Sequence, residues 1–464
     1  MAQLYTLGEI LAATGGVAEG VSGDSVCSLS IDSRELAPEA LFVAIKGDRF
    51  DGHDFVADAL RNGAVAALVS REKAANLGDR LIIVPDALEA LSDLARAARA
   101  RSNAKVVAVT GSAGKTTTKE AIRTVFEAAG RTHASIKSFN NHWGVPLMLA
   151  RMPADTEFGV FEIGMNHAGE ITPLTKLVRP HVAVITTVAA AHLEFFPSVE
   201  AIALAKAEIF AGIEPGGVAV LNADHPYIGI LRDAAADAGV ARVVTYGFAP
   251  DADWRIDTMT TASGIMSLSC RHHARRFELQ LRIEGRHMAA NAVAALAVAE
   301  LCGIAPEVAM KALAGFGAPE GRGLALRLGP AENPLLLIDE SYNANSASMA
   351  AALEVFAGQI VPGGKKILVL GDMLELGAQG PALHRALKQA VVNTGADKVF
   401  LVGSGMAVLA EALGPGAVAA HALSVDAVAE SIVNGLAYGD TIMVKGSNGV
   451  RLGGLVKQIR ERFQ

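Results

Sequence analysis

Cysteine is scarce: only Cys27, Cys270 and Cys302 occur in 464 residues, far apart and in no metal-like pattern. That excludes a disulfide-stapled scaffold and a zinc ribbon, and fits buried free thiols in a reducing compartment. Long apolar runs are also missing. Half of the composition is apolar, mostly alanine and valine, yet no stretch approaches the ~18 residues of a membrane helix. Basic excess is absent too, with 41 Lys+Arg against 48 Asp+Glu, which argues against a nucleic-acid-binding surface. The opening "MAQLYTLGEILAATGG" has no basic start and carries Glu9 inside its apolar run, unlike a secretory leader. A soluble, cytoplasmic chain is expected.

What the chain does have is strand–helix alternation. "LFVAIKG", "AVAALVS" and "RLIIVP" read as strands, and "ALEALSDLARAARARS" as a helix leading to the strand "KVVAVTG". The middle third continues with "GVFEIG", "VAVITTV" and "GVAVLN", then the helix "ANAVAALAVAELCG", closed by Gly303. After the Gly/Pro-rich "GFGAPEGRG", the strands "LLLIDESYNA", "KILVLGDM", "KVFLVG" and "TIMVKGS" are spaced by helical segments. The pattern predicts α/β domains with mainly parallel sheets. Three are expected, over residues 1–100, 101–317 and 318–464.

The stretch "VVAVTGSAGKTTTKE", residues 106–120, is a strand running into a phosphate-binding turn. Gly111 and Gly114 permit a tight turn and close backbone approach to an anion. The helix that follows turns its N–H groups toward the same point. Lys115 can reach the β/γ-phosphates and the Thr116 hydroxyl can ligate Mg²⁺. The strict motif has a further glycine where this chain has Val109, so the match is to a shorter variant. Gly111, Ser112, Ala113, Gly114, Lys115, Thr116 and Thr117 are the expected ATP-binding segment.

Polar residues stand at the ends of other strands, where α/β sheets place ligands: Glu162 in "VFEIGMNHAGEI" and His192 in "ITTVAAAHLEFF". Lys206 in "ALAKAEIF" follows on a helix. Singly, each is as readily structural. Together "TGSAGKTT", "FEIGMNHAGEI", "AAAHLE", "AKAEIF", "GRHMAANAVAALA", "GRG" and "DESYNANSASM" occur in order, and the chain resembles the Mur ligase family along essentially its whole length. "SIDSRELAPEALFVAIKGDRFDGHDF" and "NNHWGVPL" are most similar to the member that adds D-alanyl-D-alanine to the UDP-N-acetylmuramoyl tripeptide.

The resemblance implies an N-terminal UDP-substrate-binding domain, a central P-loop ATPase-type domain and a C-terminal Rossmann-like domain that takes the dipeptide and closes over ATP. It implies a monomer that forms an amide through an acyl phosphate, using ATP and one or two Mg²⁺. By resemblance Lys115, Glu162, His192 and Lys206 are catalytic. Thr116 and Glu162 hold one metal, His192 and Lys206 serve a second, and Lys206 is a candidate for carbamylation. Asn291 resembles the adenine contact, Arg322 the phosphate-binding arginine and Asp339 the ribose aspartate. For the UDP-sugar peptide the candidates are Ser33, Arg34, Lys46, Asp51 and His53, with Asn140 and Asn141 on a loop shaped by Gly144 and Pro146. Asn166, Asn343 and Lys445 are candidates near the peptide or dipeptide. The residues alone leave open an ion-pairing Lys206, an exposed linker charge at Arg322, solvated Arg34 and Lys46, and a loop charge at Lys445.

Met288, Thr187 and Asn448 depart from the family pattern. The last stands where an arginine is expected and weakens any role of that loop in recognising the dipeptide carboxylate. A folylpolyglutamate synthetase shares the ATP machinery but lacks the N-terminal block. A small-molecule P-loop kinase would explain residues 105–120 and nothing else, and a nucleotide switch would not turn over.

Overall fold

The computed structural model describes every residue except Met1, Ala2, Asp48, Lys137, Ser263, Ile360 and Pro362. Besides a two-stranded antiparallel pair, Tyr5–Thr6 with Ser25–Val26, three larger sheets follow one another along the chain. The first contains β1 (Val17–Glu19), β2 (Ser28–Ser30), β3 (Ala40–Val43), β4 (Ala64–Ser70) and β5 (Leu81–Val84), in the order β1-β5-β4-β3-β2. Its strands run parallel apart from β1. The helix α1 (Ala87–Arg101), capped where Asp86 accepts from Glu89 N, leads out of it.

The second sheet has nine strands. They are β6 (Lys105–Thr110), β7 (Thr132–Ala134), β8 (Phe158–Glu162), β9 (Val182–Ile185), β10 (Val218–Asn222), β11 (Arg242–Gly247), β12 (Trp254–Ala262), β13 (Ile265–His272) and β14 (Arg275–Leu281). Their order is β14-β13-β12-β11-β10-β9-β6-β8-β7. Between β6 and β7 lies α2 (Lys115–Glu127), between β9 and β10 α3 (Val199–Ala207), and after β14 α4 (Arg286–Leu301). Val106 to Val109 are fully buried because helices cover both faces, which is why β6 reads as an unbroken apolar run.

Strand β6 is flanked by β8 on one side and β9 on the other. The chain therefore leaves its carboxyl end in two directions, opening a crevice there of the kind in which α/β sheets bind ligands. The antiparallel strands β13 and β14 lie outside the parallel pattern that the sequence predicts. Their burial alternates residue by residue, so one face enters the core shared with α4 and the helix Pro306–Ala314 and the other is more exposed.

The third sheet comprises β15 (Leu324–Leu328), β16 (Leu335–Glu340), β17 (Lys366–Gly371), β18 (Lys398–Val402), β19 (Ala420–Ala422) and β20 (Thr441–Lys445), in the order β15-β16-β20-β17-β18-β19. Only β15 is antiparallel. Helix α5 (Ser346–Ala357) follows β16. The Gly/Pro-rich stretch forms the turns between the second and third sheets.

Candidate active site

The carboxyl ends of the second and third sheets face one cavity of about 500 Å³. On one wall is the phosphate loop. Gly111 has φ +152°, and a Cβ there would fall 1.9 Å from Thr186 Oγ1. Gly114, at φ +82°, starts α2 and lies against the Asn291 amide. The loop is thereby free of side chains where its N–H groups point outward. Lys115 Nζ folds back onto Gly111 O at 2.8 Å. Burial draws the Lys115 ammonium below its ordinary pKa, against the pull of Glu162 and with the push of Arg322.

Glu162 ends β8 and is fixed at both oxygens. Thr116 Oγ1 donates to one at 2.7 Å and Asn140 Nδ2 to the other at 2.8 Å. A hydroxyl and a carboxylate side by side at the phosphate loop are hard oxygen donors, so they fit Mg²⁺. Lys206 on α3 is 2% exposed and has no hydrogen-bond or ion-pair partner among the described residues. Burial, reinforced by the charge of Lys115, pushes its pKa well below a lysine's. His192 holds a left-handed backbone (φ 57°), and its Nδ1 meets Glu375 Oε2 at 2.6 Å across the cleft.

The opposite wall comes from the third sheet and the turns before it. The Arg322 guanidinium sits 4.2 Å from the Tyr342 ring centroid, and the Tyr342 hydroxyl bonds to Ser138 Oγ of the central sheet's side. Asn291 lines the cavity from α4 with its amide nitrogen buried and unpartnered. An orphan donor of that kind is satisfied by a ligand or a water. Asn166 and Asn343 also line the cavity.

Other expected residues are engaged elsewhere. Asp339 accepts from Gly321 N, Ser341 N and Ser341 Oγ, so its carboxylate shapes the turn carrying Arg322. Lys445 borders the cavity, but its ammonium is held by Glu340 at 3.1 Å and by the Asn343 carbonyl. Asn141 Oδ1 accepts from Gly144 N, at the start of the next helix. Among the described residues, none of the five N-terminal candidates lines the cavity. Asp51 accepts from His53, and His53 Nε2 accepts from Ser70 N. Lys46 pairs backbone with Asp51, and Arg34 is paired with Asp32 in solvent. Ser33 is buried, with its carbonyl accepting from Asn62. A second cavity of about 410 Å³ is lined by Ser28, Ser30, Glu35 and Arg151 and, among the described residues, by none of the five.

Residues that sequence reasoning missed include Tyr342, Glu375 and Thr186. Thr186 Oγ1 donates to the Ala113 carbonyl and closes the phosphate loop from below.

Comparison with known proteins follows the same three-part order. A Mur ligase family catalytic domain matches residues 25–99, the Mur ligase middle domain 109–299, and a Mur ligase glutamate ligase domain 327–448. The UDP-N-acetylmuramoyl-tripeptide–D-alanyl-D-alanine ligase of Escherichia coli is 37% identical over 94% of this chain and 94% of its own. MurF from Acinetobacter baumannii superposes with a TM-score of 0.85 at 28% identity, over 98% of this chain and 99% of that one. The Thermotoga maritima MurF ligase, solved in complex with ADP, gives 0.79 at 27% identity, over 94% and 97%.

Proposed function

This chain belongs to the Mur ligase family, and from that premise we infer how its interdomain cavity joins two substrates with cleavage of ATP. The reaction adds D-alanyl-D-alanine to UDP-N-acetylmuramoyl-tripeptide, a step of peptidoglycan precursor synthesis. One observation carries the residue assignment: Lys115 and Glu162, the latter bonded to Thr116, and Arg322 from the turns before another sheet line a single cavity.

Residues 111–117 and Lys115 receive the β- and γ-phosphates, Arg322 approaches them from the other wall, and Asn291 offers its free amide to the nucleotide. Thr116 and Glu162 hold Mg²⁺, which supplies positive charge where negative charge gathers between the reactants. Held in line, a tripeptide carboxylate oxygen bonds to the γ-phosphorus as the bond to ADP breaks. The dipeptide amine then attacks the acyl carbon, loses a proton, and phosphate leaves. Closure of the third domain over the cavity keeps water from the acyl phosphate.

His192 and Lys206 serve a second metal. Burial, and then the charge of Lys115, favour the neutral Lys206 amine, the form that reacts with CO₂, which supports its carbamylation. Residues 1–100 bind the UDP-sugar end, residues 101–317 ATP, and residues 318–464 the dipeptide. Ser33, Arg34, Lys46, Asp51 and His53 belong to loops and turns of the first sheet, and Ser33 and Arg34 adjoin Glu35 of the second cavity's wall in sequence. Asp339 acts on the ribose side through the turn it braces, and Asn140, Asn166 and Asn343 face the peptide. The protein works as a monomer.

Phosphate release with Mg-ATP, UDP-N-acetylmuramoyl-tripeptide and D-alanyl-D-alanine, omitting one component at a time, tests this reading. Release is expected only with all present. ADP formed with one acceptor alone, its phosphoryl group left on that acceptor, would make the protein a kinase, and no ADP with any pair would make it a switch.

A further inference from the structure

Ser112, inside the phosphate loop, has every polar atom engaged. Its N–H donates to Thr187 O at 2.8 Å, and its hydroxyl both donates to Ala189 O and accepts from Ala189 N at 3.0 Å. These three bonds tie it to the segment after β9, within the central domain. The fourth bond falls on the remaining polar atom, the carbonyl, which accepts at 2.9 Å from Nδ2 of Asn345, a residue of the third domain 233 positions away.

Asn345 is 8% exposed and does two jobs with one side chain. Its Oδ1 accepts from Ser348 N at 2.9 Å and caps α5, while Ser348 Oγ returns a bond to the Asn345 backbone. The cap aims the amide so that only the NH₂ group is left for the phosphate loop. From this we propose that Asn345 is a positioning residue that couples third-domain closure to occupation of the phosphate loop by nucleotide. The proposal rests on the ligase reading above, since it needs ATP in that loop.

The physical basis is reciprocal. A bound triphosphate orders the loop and fixes the Ser112 carbonyl where the donor must find it. A closed third domain brings the donor and stiffens the loop before nucleotide arrives. Each event then favours the other by the same factor.

The test separates the cap from the donor. Asn345→Ser keeps a capping oxygen but is too short to donate to Ser112, whereas Asn345→Ala removes both. Donor and acceptor fluorophores on the central and third domains report closure during titration with Mg-ADP, and KM for ATP is measured beside kcat. For Asn345→Ser we expect wild-type thermal stability, a closure midpoint and KM for ATP each raised about fivefold, and little change in kcat. Asn345→Ala should show the same coupling loss together with a lower melting temperature. If Asn345→Ser closes and binds like wild type, the contact carries no coupling and the proposal fails alone. If wild type neither closes on nucleotide nor turns over, the ligase reading falls and takes the proposal with it.

Discussion

The Thr116 hydroxyl donates to the Glu162 carboxylate at 2.7 Å, joining the first turn of α2 to the end of β8. Two residues 46 positions apart thus present adjacent oxygens at the mouth of the phosphate loop. Glu162→Gln keeps the size and the Asn140 side of the contact but removes the negative charge offered to a cation. Turnover should fall by about a hundredfold or more, with the Mg²⁺ requirement shifted upward and the melting temperature little changed. A magnesium titration of the variant checks it.

Lys206 should carry a carbamate. Protein equilibrated with ¹³C-bicarbonate is expected to show a carbamate carbon resonance that Lys206→Arg lacks, because the arginine stays protonated. A plain amine at Lys206 in protein saturated with CO₂ would contradict the assignment.

The His192–Glu375 contact spans the two domains, and both residues adopt left-handed backbones. The pair is partly solvated, so its contribution is small. Glu375→Gln should lower the closed fraction of the nucleotide-free protein about twofold, read by small-angle scattering. Raised salt should weaken the wild-type contact in the same direction.

Burial holds His133 and His225 neutral, each with a pKa lowered to about 4 from 6.5. Between those values the unfolded chain binds protons that the folded one refuses. Unfolding free energy therefore rises with pH across that window and is lost as pH falls from about 6.5 toward 4. Melting temperatures measured at stepped pH should show the decline, and His133→Gln should make it shallower.

Gly111→Ala meets both a left-handed φ and the Thr186 hydroxyl. Nucleotide affinity should drop at least tenfold, measured by calorimetry with Mg-ADP.

How much of this was legible in the sequence depends on the range of each interaction. Gly111 to Thr116 could be read directly, because a strand, two permissive glycines and a helix start are local properties. The three-sheet α/β plan followed from alternation of apolar strands and helices. Strands β12 to β14 escaped because their polar outer faces dilute the apolar signal, although their period-two alternation was there to find. Charged residues at strand ends were harder to read. Asp339 and Lys445 stand where ligand contacts are expected, yet the structure engages one with Gly321 and Ser341 and the other with Glu340. A sequence displays the residue type but not the neighbour that satisfies it. For the same reason Asn345, Tyr342 and Glu375 gave no signal, since their partners lie 233, 204 and 183 positions away.

The most direct test of the account follows one oxygen. Tripeptide labelled with oxygen-18 in its reacting carboxylate is turned over with Mg-ATP and D-alanyl-D-alanine, and the released phosphate is analysed by mass. Activation as an acyl phosphate predicts one labelled oxygen in each phosphate, with Lys115→Ala losing nearly all release. Unlabelled phosphate alongside normal amide formation would contradict it.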